Sequence, residues 1–211
     1  MAAPAAKLLS DHLADQLTSV YTQLDRPELL ELSEQLVSIM DVPSLEYHKP
    51  SHNYWDQSDS VLITYGDSLL ESHEKPLRTL KKFLDNKIRS VINSVHILPF
   101  YPFTSDDGFS VMDYSSVNQS LGDWRDINHI AADYKLMADL VINHCSARSR
   151  WFENFIAGSH PGADYFIVSD PHADLSAVAR PRAEPLLKPV ETAAGTQHLW
   201  CTFSHDQVDL N

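Results

Sequence analysis

The chain has 211 residues, 43% of them hydrophobic, which is enough for one sizeable core and a smaller appendage. Its formal charge of −13, from 16 Lys and Arg against 29 Asp and Glu, comes without any Lys/Arg block, so nucleic acid is excluded as an expected partner. Asp11 and Asp15 interrupt the opening stretch so that it does not read as a signal peptide; no run of about 18 apolar residues predicts a membrane span, and the cytoplasm is the expected location.

Leu9, Leu13, Leu17, Val20 and Leu24 recur at steps of three and four, which predicts a helix. Pro27 starts a second pattern over Leu29, Leu32, Leu36 and Met40. The pair has two readings. It is a dimerisation element, which would make the full-length protein a homodimer, or it is a helical hairpin that only packs. The second is the plainer. Residues 41 to 60 are polar and read as a linker.

Val61–Tyr65 is a short β-rich run closed by Gly66. Leu77, Leu80, Leu84, Ile88 and Val91 make a helical stripe after Pro76, and Val95–Phe100 is a second strand. Asp123 is a candidate N-cap for a helix over Trp124–Tyr134. Leu136–Ile142 is a third strand, ending in Asn143-His144. Strand and helix in alternation imply βαβ units and a parallel sheet. Trp151, Phe152, Phe155 and Ile156 predict a short helix closed by Gly158. From Ser159 to about Thr196 five prolines break any rhythm, which reads as an irregular excursion. Leu199–Phe203 is a last strand-like piece.

Sites in parallel α/β folds lie at the C-terminal ends of strands. Strand two is followed by Asp106, Asp107 and Phe109, and strand three by Asn143 and His144. A carboxylate and an imidazole can bond hydroxyls, and a ring can cover an apolar patch, so together they suit a sugar. Singly, Asp106-Asp107-Gly108 is an ordinary turn and His144 a structural histidine. No HExxH, CxxC, P-loop or GxSxG motif occurs. Cys145 beside His144 does not suggest a Cys–His pair, because neighbours on a strand face opposite ways. The two cysteines, Cys145 and Cys201, do not make a disulfide framework.

The heptapeptide ADLVINH, Ala138–His144, resembles the first signature region of the α-amylase family of retaining glycosidases, with Asp139, Asn143 and His144 in the matching places. The flanks sharpen this. His96–Ile127 is similar to the strand-two loop of the sucrose phosphorylase branch, and Leu199–Asn211 to the strand entering its fourth region. Trp55–Asp67 and Asp174–Pro189 resemble the glucosylglycerate phosphorylase-like members. The resemblance runs from about Trp55 to Asn211 and implies the N-terminal part of a (β/α)8 barrel with a small irregular B domain inserted after strand three; the helix pair before it reads as an N-terminal helical appendage. The implied divisions are 1–55 for appendage and linker, 56–144 for three βα units, 145–198 for the B domain, and 199–211 for a segment leading toward strand four.

The resemblance further implies a retaining glycoside phosphorylase that cleaves an α-glucoside, such as glucosylglycerate or sucrose, with inorganic phosphate to give α-glucose 1-phosphate. Two inversions at one carbon require two carboxyl groups about 5 Å apart. By the family's pattern, Asp106 and Phe109 bind and border glucose, and His144 bonds its 6-hydroxyl. Gln207 and Phe203 lie toward the acceptor. Arg180 and Arg182 are candidates to receive an acceptor's carboxylate, since guanidinium offers a bidentate fork. No metal and no cofactor are expected. The family's nucleophile lies in an R-x-D-A segment, which occurs nowhere in the chain. No catalytic carboxylate is therefore assigned here; the nucleophile Asp and acid/base Glu are expected beyond Asn211. Three strands of eight leave open edges, so the chain alone is expected to be inactive and unstable. The alternatives are an α-glucoside hydrolase or transglucosidase of the same family, and a non-catalytic remnant.

Overall fold

The computed structural model describes residues 3–40, 55–179 and 183–211, and divides into two compact units, Met1–Asp56 and Gln57–Asn211. Among the described residues no helix is long and apolar enough to cross a membrane.

The first unit is a pair of helices, α1 (Ala3–Leu17) and α2 (Arg26–Ile39). Asp25 caps α2 by accepting from the Glu28 amide at 3.0 Å, while the Glu28 carboxylate takes the Asp25 amide at 2.8 Å. This reciprocal pair satisfies two amides that the helix itself cannot. Ser10 and Ala14 of α1 and Leu29 and Ser33 of α2 are buried. Three of these four are small, which lets the helix backbones approach closely.

The second unit opens with two successive βαβ units. Strand β1 (Val61–Thr64) leads to α3 (Pro76–Phe83), whose last turns widen into a π-helical stretch, Leu84–Ile88. Strand β2 (Ser94–Ile97), α4 (Trp124–Ala131) and β3 (Lys135–Ala138) follow. The strands pair in parallel in the order β1-β2-β3, with Ile63, His96 and Met137 in one row and Leu62, Val95 and Leu136 in the next. The row with Val95 faces the helices. Leu77, Leu80 and Leu84 close over Val95 and Ile97, joined by Ile127 and Ile130 of α4. Removing one such leucine side chain is expected to cost about 2–5 kcal/mol. Asp123 caps α4, and the α4 carboxylate Asp126 is buried against Arg78 of α3 at 2.8 Å.

Strand β3 is shorter than Leu136–Ile142. Pairing with β2 ends at Ile97↔Ala138, just before Pro99, which has no amide to donate to a ladder. Leu140 and Ile142 are accordingly exposed, at 74% and 62%. The chain then enters β4 (His144–Ser146), which pairs antiparallel with β8 (Gln207–Asp209), His144 opposite Asp209 and Ser146 opposite Gln207.

Helix α5 (Arg150–Ala157) has the expected boundaries: the Ser149 hydroxyl accepts from the Phe152 amide, and Gly158 turns left-handed at φ 65°. The stretch beyond it is more regular than its prolines suggest. Strands β5 (Val168–Ser169), β6 (Leu187–Thr192) and β7 (Gly195–Trp200) form an antiparallel sheet in the order β5-β7-β6. Pro189 is tolerated because β6 is an edge strand. The last strand-like piece thus runs over Gly195–Trp200 rather than Leu199–Phe203. This sheet, α5 and the β4–β8 pair share a second core containing Cys145, Phe152, Phe155, Phe166, Leu199 and Val208.

Candidate functional site

The loop after β2 carries the first site residues. Phe103 and Val111 bridge its base, and Ser110 donates its amide to Ser105 at 3.3 Å across the tip. The tip is a single 3-10 turn, Asp106–Gly108, with three consecutive positive φ angles: 56°, 50° and 108°. The two aspartates each cost roughly 1–2 kcal/mol in that region. Gly108 is required, because a Cβ there would stand 2.6 Å from the Pro99 carbonyl oxygen.

This tip presents Asp106 to Gln207 of β8. The Gln207 amide donates to Asp106 Oδ2 at 2.9 Å, and its nitrogen lies 3.1 Å from His144 Nε2. The Gln207 carbonyl accepts from the Ser204 hydroxyl at 2.9 Å. Asp106, Gln207 and His144 are therefore one hydrogen-bonded run, assembled by the β4–β8 pairing and the β2 loop. Phe203 lies against the histidine with ring centroids 5.0 Å apart. Phe109 enters through its backbone, since its carbonyl lies 3.1 Å from His144 Nε2.

His144 is 5% exposed and is short of partners. Nε2 can donate to the Phe109 carbonyl or accept from the Gln207 amide, but one nitrogen cannot do both. Nδ1 is buried with no hydrogen-bond partner. Burial pushes the imidazole pKa below its ordinary 6.5, against the Phe109 carbonyl and the charges of Asp209 and Asp106, so the ring is neutral at pH 7. A neutral imidazole, an acceptor-only carboxylate and an amide with both functions suit a hydroxyl-rich ligand.

Asp107 turns away from this run and lines a cleft of about 290 Å³ with Tyr65, Asp67 and Phe103. Asp139 bonds His96 of β2 at 2.9 Å. Arg180 and Arg182 lie outside the described residues. Among the described residues no three His, Cys, Asp or Glu side chains converge to hold a metal ion.

Two residues absent from the sequence reading hold the site together. The Tyr114 hydroxyl lies 2.7 Å from the Val141 carbonyl and 3.1 Å from that of His144, bracing the bend after β3, while its ring stacks on Trp151 at 5.2 Å. Asp206 receives three hydroxyls from the β2 loop. The cluster of Thr104, Ser105 and Ser110 around the aspartates was the available signal.

Residues 89–192 match the alpha-amylase catalytic domain. That segment belongs to the α-amylase family. Glucosylglycerate phosphorylases of Allomeiothermus silvanus and Escherichia coli are 53% and 51% identical over 157 and 160 residues, 74% and 75% of this chain. Sucrose phosphorylase of Streptococcus mutans is 32% identical over 72% of it. The crystal structure of sucrose 6F-phosphate phosphorylase from Thermoanaerobacter thermosaccharolyticum superposes with a TM-score of 0.64 at 29% identity, covering 72% of this chain and 33% of that one. The trehalulose synthase MutB from Pseudomonas mesoacidophila, at 23% identity and a TM-score of 0.63 over 77% of this chain and 31% of its own, shows the same fold. The two βαβ units are thus the beginning of an α-amylase-family (β/α)8 barrel, as expected. The chain spans 28% of the length of those two glucosylglycerate phosphorylases and 33% of the Streptococcus mutans sucrose phosphorylase.

Proposed function

We propose that this chain forms the glucose-binding wall of a retaining α-glucoside phosphorylase, one that transfers glucose from glucosylglycerate or sucrose to inorganic phosphate. The observation that carries the proposal is the run Asp106–Gln207–His144 with Phe203 against the imidazole. It lies in a chain 53% identical, over 157 residues, to a glucosylglycerate phosphorylase.

In this reading Asp106 accepts from glucose hydroxyls and Phe109 borders the sugar. His144 bonds the 6-hydroxyl, which relieves a ring now one partner short. Gln207 and Phe203 face the acceptor side, and Arg180 and Arg182 take the carboxylate of glycerate. The division is 1–55 as appendage, 56–144 as three βα units, 145–198 as B domain and 199–211 leading onward. A nucleophilic Asp and an acid/base Glu come from sequence outside these 211 residues, about 5 Å apart, and give α-glucose 1-phosphate with retention. No metal or cofactor takes part. The protein acts in the cytoplasm, and α1–α2 serves a full-length homodimer or simply packs; light scattering separates these.

The test completes the chain at Asn211 with the part of Escherichia coli glucosylglycerate phosphorylase beyond the aligned segment. Incubated with glucosylglycerate, this completed chain is expected to form α-glucose 1-phosphate only when phosphate is present. Free glucose formed equally with or without phosphate makes it a hydrolase instead.

A further inference from the structure

We infer that Asp206 is a positioning residue for glucose recognition: its carboxylate fastens both ends of the turn that presents Asp106 and Phe109. The inference rests on the proposed glucose-binding role of those residues.

A single oxygen, Asp206 Oδ2, accepts from Thr104 Oγ1 at 2.5 Å, Ser105 Oγ at 2.6 Å and Ser110 Oγ at 2.9 Å. Ser105 and Ser110 flank the strained turn on either side, so the carboxylate closes it like a clasp. Other bonds feed the same acceptor. The Arg148 amide donates to Ser146 Oγ at 3.0 Å, and Ser146 Oγ stands 2.7 Å from Thr104 Oγ1. Donation from Ser146 to Thr104 and from Thr104 to Asp206 satisfies every hydroxyl, provided the terminus accepts only. An ionised carboxylate does so, with charge-assisted bonds. Burial pushes the Asp206 pKa up, but the hydroxyls of Ser105, Thr104 and Ser110, with Arg148 nearby, outweigh it and leave the group below the usual carboxylate range.

The connection to the sugar runs through the next residue. Asp206 grips the turn, and Gln207 grips what the turn presents, the Asp106 carboxylate, at 2.9 Å. The Asp206 carbonyl also accepts from the Ala147 amide at 2.9 Å, just beyond the strand that carries His144. One dipeptide thereby fixes the spacing of Asp106, Phe109 and His144. Turns held at positive φ persist only where their surroundings over-determine them. Without the clasp, the turn relaxes and Asp106 leaves the position in which it meets a sugar hydroxyl.

The test compares Asp206→Asn and Asp206→Ala in the completed chain. Glucose affinity is read by calorimetry, kcat and KM for the glucosyl donor by assay, and exchange of the 104–111 amides by mass spectrometry. Asp206→Ala is expected to weaken glucose binding at least tenfold per folded molecule and to raise KM, with faster exchange confined to 104–111. Asp206→Asn keeps one accepting oxygen and is expected to lose roughly a third as much. Glucose binding within twofold of the parent in both variants overturns the inference. So does a loss that only tracks the unfolded fraction. A parent that binds no glucose overturns the sugar reading itself, a different result from a parent that binds and variants that bind equally well.

Discussion

Gly108→Ala probes the geometry on which the site depends. Two separate costs can be worked out. The backbone stands at φ 108°, where an L-residue is strained by about 1–3 kcal/mol. The new Cβ would lie 2.6 Å from the Pro99 carbonyl oxygen and 3.1 Å from Pro99 Cβ, so the loop must move. Overpacking of that kind adds about 1–3 kcal/mol. Gly195 is the natural control: it has φ 101° and nothing within 4 Å of the position a Cβ would take, so Gly195→Ala carries only the first cost. Urea denaturation followed by tryptophan fluorescence is expected to place Gly108→Ala about 1–3 kcal/mol below Gly195→Ala. Glucose affinity is expected to fall in the first variant only. Equal midpoints for the two would refute the close approach of the turn to Pro99, and with it the placement of Asp106.

Three further outcomes follow from the same geometry. Because burial lowers the His144 pKa below 6.5, the unfolded chain binds the proton more readily; stability from the neutral ring is present above about pH 6.5 and lost below it, by at most about 1.4 kcal/mol per pH unit. Denaturant unfolding of His144→Gln between pH 7.5 and 5.5 is expected to be flatter than that of the parent. Gln207→Leu removes the bridge between the exposed Asp106 and the buried His144 and leaves the imidazole a further partner short, which is expected to weaken glucose binding about tenfold, or about 1.4 kcal/mol, by calorimetry. Burial pushes the Cys145 thiol up to about 11, against its contact with Ser149, and the Cys201 thiol up to about 12, so neither is expected to react with iodoacetamide at pH 8 until the chain unfolds. Mass spectrometry of native samples checks this, and rapid native labelling would show that the second core is open.

Local chemistry was readable where it acts within a few residues. The leucine stripe of α3, the Asp123 cap of α4 and the Gly158 stop of α5 all operate inside one or two turns. Longer-range pairing was less legible. The third strand stops early because Pro99, just past the end of β2, has no amide to offer, which its own sequence does not record. Strands β6 and β7 hid behind prolines, because only the sheet order reveals that Pro189 sits on an edge. In the site, Asp106, His144 and Gln207 stood out by resemblance, but the bonds joining them did not. Asp206 was invisible for the same reason: its hydroxyl partners lie 96 to 102 residues away along the chain.

The central claim, a glucose wall serving phosphorolysis, is tested most directly by product analysis on the completed chain and its His144→Ala variant. With glucosylglycerate and phosphate, the parent is expected to yield α-glucose 1-phosphate, and the variant at least about a hundredfold less of it at equal folded concentration. Undiminished turnover in the variant, or free glucose as the sole sugar product of the parent, would contradict the account.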